Sequence, residues 1–186
     1  MKTRCGWVKK GNSIYESYHD NEWGIIIKDD RAIFELFSLE TQAAGLSWLT
    51  ILQKKEGYRA VFHDFDIYIV ARFNKEKIDT ILKSDLIIRN RPKLEAIVEN
   101  AKKMIEIIEE FGSLYNYFWG FINNKQIVNT IANYKNAPCT NEISDTITKD
   151  LKKRGFKFVG SVTVYAFMQA CGMVDDHENS CFKRSK

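Results

Sequence analysis

Apolar side chains recur at helical spacing along residues 33 to 48. Ile33, Leu36, Phe37, Leu39, Ala43 and Ala44 share one arc when residues advance by about 100° each, which predicts a buried helix. One acid interrupts that stripe, because Glu40 falls near its middle. A buried carboxylate costs several kcal/mol unless it is paired, hydrogen-bonded or protonated, so the position asks what Glu40 faces. Further on, "KLEAIVENAKKMIEIIEEF" sets Leu94, Ile97, Val98, Ala101, Met104, Ile105 and Ile108 on one face of a single amphipathic helix. Ser144 is expected to cap "DTITKDLKKRG", with Ile147 and Leu151 on one face and Gly155 as terminator. "FKFVGSVTVYAFMQACG" is divided between a β-branched strand pattern and a helical face of Val162, Tyr165, Ala166 and Gln169. No strand partner is evident, so a helix is expected there too. Turn-forming residues cluster in "NYKNAPCTNE" at 133–142 and again at "IRNRPK".

Composition narrows this mostly helical reading. With 186 residues, 45% apolar and 13% aromatic, the chain suffices for one core or two small lobes. No apolar run approaches the roughly 18 to 20 residues of a membrane span, and "MKTRCGWVKK" lacks the apolar centre of a signal peptide. A cytoplasmic protein without a membrane partner is the expectation. The net charge of +4 is compatible with a polyanion partner but does not require one. Neither a G-x-x-x-x-G-K-[ST] nor a G-x-G-x-x-G phosphate loop occurs, which argues against a nucleotide-binding enzyme of the common types.

Four cysteines are too few for a disulfide framework, so thiols or metal ligands are expected. His177 and Cys181 stand four apart, and Cys5 and His19 form a second pair near the other end. Two cysteines and two histidines suit tetrahedral zinc, although spacing alone leaves free core cysteines as an alternative. Cys139 and Cys171 read as small buried or half-buried apolar residues, and His63 as a surface histidine. Around the first pair lie Trp7, Tyr15, Tyr18 and Trp23, with Trp48 downstream. Tyr15, Tyr18 and His19 share one side of a helical turn. These rings build either an aromatic core or, beside a buried acid, a box for a flat cationic heterocycle.

In order along the chain, "CGWV", "YHDNEWG", "LETQAAGLSW", "IIRNRPK", "KKRGFKFVG", "YAFMQACG" and "DDHENSC" resemble the signature blocks of the DNA-3-methyladenine glycosylase I family. That family is a zinc-containing branch of the helix-hairpin-helix DNA glycosylases. The resemblance runs from Cys5 to Cys181 and implies an all-α fold of two helical lobes with a base pocket between them. It implies one glycosylase unit over 1–186, a central lobe with the hairpin at about 50–115, and terminal segments forming a zinc-bearing lobe. Cys5, His19, His177 and Cys181 match the family's ligands for one structural Zn2+ per chain, with Asp175 and Asp176 expected behind them. Glu40, Tyr18 and Trp48 match its base-recognition residues, with Trp7 and Tyr15 as further wall. No nucleophile is implied.

The same resemblance makes Gly45 and Leu46 a plug for the gap left by a flipped base. It makes the hairpin a clasp for phosphates through main-chain amides and Arg89, Arg91 and Lys93. Leu86 and Pro92 depart from it, standing where glycines are expected. Lys152, Lys153, Arg154 and Lys157 are either a second phosphate contact or a solvated basic end. The implied activity is hydrolysis of the N-glycosidic bond of 3-methyladenine in alkylated double-stranded DNA by a monomer, releasing the free base. The alternative is a non-catalytic, zinc-stabilised nucleic-acid-binding protein, which has no use for a buried acid among aromatics.

Overall fold

The computed structural model describes residues 2–185, and its regular structure is almost entirely helical. The helices are α1 (Ser13–Asn21), α2 (Asp30–Gln42), α3 (Trp48–Val61), α4 (Ile67–Val70), α5 (Lys75–Ile81), α6 (Arg91–Phe111), α7 (Leu114–Gly120), α8 (Glu142–Lys153) and α9 (Ser161–Ala170). The one sheet among the described residues is minimal. β1 (Ile127–Val128) pairs in parallel with β2 (Val174–Asp175), drawing the segment after α7 against the segment after α9. No helix is long and apolar enough to cross a membrane among the described residues.

Helix α2 is the axis of the core. Asp29 caps it by accepting from the Ala32 amide, and it packs against α3, α6, α7 and α9. Phe37 meets Phe118 of α7, Phe167 of α9 and Phe156. The long amphipathic helix of the sequence is α6, whose Leu94, Ile97, Val98, Ala101 and Met104 are buried while Ile105 and Ile108 are half-buried. Asn90 caps its start and Gly112, with φ +81°, ends it.

At two ends the structure differs from the sequence expectation. Helix α8 begins three residues before Asp145, and Asn141 is its cap, accepting from the Ser144 amide at 2.7 Å. Ser144 completes the reciprocal bond, accepting from the Asn141 amide at 2.9 Å, so it is the cap's partner. The divided segment is the helix α9, which sinks Val164, Tyr165, Phe167 and Met168 into the core and leaves Val162 exposed. Its apolar face is therefore not the one that the Val162 spacing suggests.

Helices α5 and α6 flank the hairpin at 82–90. Both departures noted there are compatible with it. Pro92 lies in the first turn of α6, where an N–H has no intrahelical acceptor to lose. Leu86 keeps a negative φ, so nothing at that position requires glycine. The tight contact falls on the other side: the Leu86 carbonyl lies over Gly57 of α3, where an added Cβ would come within 2.2 Å.

A second, smaller apolar cluster gathers Cys5, Tyr18, Trp23, Ala170 and Cys181, with Trp7, Leu36, Trp48 and Leu52 packed against it. The two chain ends meet there, and the Phe182 amide donates to the Thr3 carbonyl at 2.9 Å.

Candidate functional site

Glu40, on the last turn of α2, turns its side chain toward a cavity of about 400 Å³ and is only 7% exposed. Its carboxyl makes no hydrogen bond within the described residues, and burial alone pushes its pKa up from 4.5 to about 8. Aromatic rings surround it. Trp7 meets Tyr15 edge-on at 5.7 Å and Trp23 at 5.2 Å, and Tyr18 lies 5.5 Å from Trp48. Burial, then the nearby Glu40 charge, raises the Tyr18 phenol well above its ordinary pKa, which keeps it a neutral donor. The five rings thus come together around the acid. Trp23 is part of this wall, although the family resemblance assigned it no role in base recognition.

The rest of the lining was not foreseen. Tyr134, Ala137 and Pro138 of the 133–142 loop close one side, and Ala166, Gln169 and Asp176 another. No lysine, arginine or histidine lines the cavity among the described residues. Glu178 fastens this wall, accepting from the Gly6 amide at 2.8 Å and the Tyr134 amide at 2.6 Å. Asp176 does not stand behind a metal ligand as expected. It accepts from Asn129 at 2.7 Å, from the Tyr165 hydroxyl at 2.8 Å and from Gln169 at 2.7 Å, facing the cavity. Cys139 is exposed, contrary to expectation, whereas Cys171 is buried and His63 is exposed as expected.

Behind Trp7 and Trp23, ligand atoms of Cys5, His19 and Cys181 lie within 4.8 Å of one another, all buried, and could hold a metal ion. His19 Nδ1 is 2.9 Å from Asp20, so the opposite nitrogen faces Cys181 Sγ at 3.4 Å. His177 falls outside that trio, with its ring 5.3 Å from the His19 ring. Its Nδ1 is held 2.8 Å from Asp175, and its Nε2 is buried with no hydrogen-bond partner among the described residues. Two thiols with an imidazole oriented by a carboxylate are a donor set that fits a thiophilic metal, and the orphaned Nε2 fits a ligand turned toward one.

At the cavity mouth, Gly45 takes φ +77° with open space around it, and Leu46 is 40% exposed. Leu46 is thus not a core residue. Among the hairpin cations, Arg89 is exposed, while Arg91 pairs with Asp79 and, at 3.5 Å, with Glu95. Lys93 does not reach solvent as a phosphate contact would require. It is 8% exposed, and its ammonium donates to the carbonyls of Gln42 at 2.9 Å and Ala44 at 2.5 Å, closing the end of α2. Arg154 is likewise engaged, with Asp150 at 2.7 Å and Glu110 at 2.7 Å.

Comparison with known proteins gives this geometry a lineage. The methyladenine glycosylase family model matches residues 7–184. The DNA-3-methyladenine glycosylase of Haemophilus influenzae is 46% identical over 181 residues, 97% of each chain. DNA-3-methyladenine glycosylase 1 of Escherichia coli is 43% identical over 96% of this chain and 95% of its own. The solved structure of 3-methyladenine DNA glycosylase I from Staphylococcus aureus, described as the structural basis of 3-methyladenine recognition, superposes with a TM-score of 0.94. It is 38% identical and covers 98% of this chain and 97% of its own. The chain belongs to the methyladenine glycosylase family.

Proposed function

We propose that the protein is a base excision repair enzyme that hydrolyses the N-glycosidic bond of 3-methyladenine in alkylated DNA. The observation that carries this reading is Glu40: a buried, unpartnered carboxyl facing an aromatic cavity with no cation in its lining. Such a site is unsatisfied until a positive, flat ligand enters it. N3-methylation makes adenine a cation within the nucleotide, so the bond to the sugar already has a good leaving group. As it breaks, the electron pair goes to the base, which departs neutral, while the sugar becomes oxocarbenium-like and takes a hydroxyl from water, whose proton passes to solvent. The pocket binds and orients. Glu40 ionises against the cation and accepts hydrogen bonds from its amino edge, and the Trp and Tyr faces add cation–π attraction. Neutral adenine forfeits both terms.

Gly45 and exposed Leu46 support the role of a plug, since a wedge must stand clear of the core to enter the duplex. Arg89 and the hairpin amides are the phosphate contacts of this reading, while Lys93 positions the plug turn from within. Cys5, His19 and Cys181, with His177 turned in as a fourth ligand, would hold a zinc ion. With four protein ligands such a metal would have no open position for water and would serve to hold the chain ends in place.

Incubation with methylated duplex DNA, followed by chromatography of the released bases, tests the function. Free 3-methyladenine and abasic sites are expected from the protein, and about tenfold to a hundredfold more slowly from Glu40→Gln. Tight DNA binding with no base released would leave the non-catalytic nucleic-acid-binding protein as the better description.

A further inference from the structure

We propose that Gln169 sets base specificity in this cavity by offering a fixed acceptor to the flipped base. The inference rests on the glycosylase reading and adds a discriminator to it. The argument starts from an ambiguity that most glutamines carry: the two ends of the amide are interchangeable in shape, and only the hydrogen-bond network says which is which. Here the network decides. Asp176 Oδ2 lies 2.7 Å from one end of the Gln169 amide, and a carboxylate can only accept, so that end is the NH2 group. Asp176 cannot turn away to release it. Its oxygens also accept from Tyr165 at 2.8 Å and from Asn129 at 2.7 Å, and it is buried on β2's outgoing backbone.

The opposite end, Oε1, has no hydrogen-bond partner among the described residues, and the side chain borders the same cavity as Glu40. Helices α2 and α9, which carry the two residues, pack directly against each other. The cavity therefore offers two acceptors to its occupant. An adenine-type base presents an exocyclic amino group, a double donor, to such a pair. A guanine-type base carries a carbonyl oxygen at the same ring position, so acceptor would meet acceptor in a water-excluded site. Excess methylation at N3 is common to both bases and cannot tell them apart, whereas the amide can.

The test compares binding of free 3-methyladenine and free 3-methylguanine, read by intrinsic tryptophan fluorescence, with excision of both from methylated DNA measured in parallel. The parent protein is expected to prefer the adenine base. Gln169→Met, which keeps length but removes the acceptor, should shrink that preference roughly tenfold, the worth of one buried hydrogen bond. Gln169→Glu keeps an oxygen acceptor for the cavity, so it should keep the preference. Melting curves establish that both variants are folded. An unchanged binding ratio in Gln169→Met, or an equal loss in both variants, overturns the proposal. Failure of the parent to excise either base would instead overturn the glycosylase reading, while the binding ratio still decides the part of Gln169.

Discussion

Lys93 and Gln42 hold each other by two reciprocal bonds: the Gln42 amide donates to the Lys93 carbonyl at 2.9 Å, and the Lys93 ammonium donates to the Gln42 carbonyl at 2.9 Å. The same ammonium reaches Ala44, the residue before the plug turn, and the Tyr58 hydroxyl links Gln42 Oε1 to the Ile88 amide of the hairpin, each at 3.3 Å. The turn at Gly45 and the hairpin are thereby joined by one hydrogen-bond network. A cation at the carbonyl end of a helix is also favoured by the helix dipole.

Lys93→Met removes the cation while keeping the buried stem. Leaving helix-terminal carbonyls unsatisfied should cost about 1–3 kcal/mol, visible as a lower melting temperature. Excision from duplex DNA should fall further than folding accounts for, while affinity for free 3-methyladenine holds. An unchanged duplex rate per folded molecule would reduce Lys93 to a stabilising residue.

Glu40 makes stability depend on pH. The unfolded chain loses this proton near 4.5 and the folded chain near 8, so between those values the folded state binds more protons and stability falls as pH rises. The full difference is on the order of 5 kcal/mol and no further change comes above pH 8. Glu40→Gln should match the parent near pH 4 and melt higher at pH 8. Its affinity for 3-methyladenine, measured above pH 8 where Glu40 is ionised, should nevertheless drop about tenfold to a hundredfold, as loss of a charge-assisted acceptor requires. Equal affinity together with a higher melting temperature would show that the acid never faced a base.

Ionisation of Glu40 by an incoming cation gives excision its own pH profile. The methylated base in DNA carries a fixed charge, so below pH 8 each unit of rising pH lowers the cost of ionising Glu40 by about 1.4 kcal/mol. The second-order rate constant should climb roughly tenfold per unit and level off near pH 8. A profile flat from pH 6 to 9 would mean that the acid is already ionised in the free protein.

Leu46→Ala should leave stability within about 0.5 kcal/mol of the parent, because the side chain is exposed. Base release from duplex should slow, and release from single-stranded DNA should not. A lower melting temperature with an unaltered rate would place the side chain in the core after all.

Elemental analysis of protein purified without chelators should find about one zinc per chain. Cys181→Ser should melt earlier and lose activity only in proportion to its unfolded fraction. A fully folded but inactive Cys181→Ser would point to a metal that takes part in the chemistry.

What the sequence made legible were the periodic features. The stripe of α2 with Glu40 inside it, the face of α6 and the aromatic grouping around α1 all follow from local spacing. The misread residues depend on distant partners. Lys93 follows a proline at a chain turn and reads as a surface cation, but its acceptors are carbonyls about fifty positions earlier, at the end of α2. Asp175 and Asp176 read as one pair, yet successive residues of extended chain point to opposite sides, so one holds His177 and the other faces the cavity. That alternation is a signal the sequence did contain. Nothing in it signalled that the 133–142 loop would form a pocket wall through Glu178, since that link joins three remote segments.

The cluster of Cys5, His19 and Cys181 has a consequence for the order in which the molecule is made. The aromatic wall is carried by residues that precede the core in the chain, yet the groups that pin it, Glu178 and Cys181, follow the core. A ribosome-bound chain can pack α2 against α6 and α7 while Trp7 and Tyr15 still lack their anchor. The cavity wall is therefore complete only once Glu178 and Cys181 have been made.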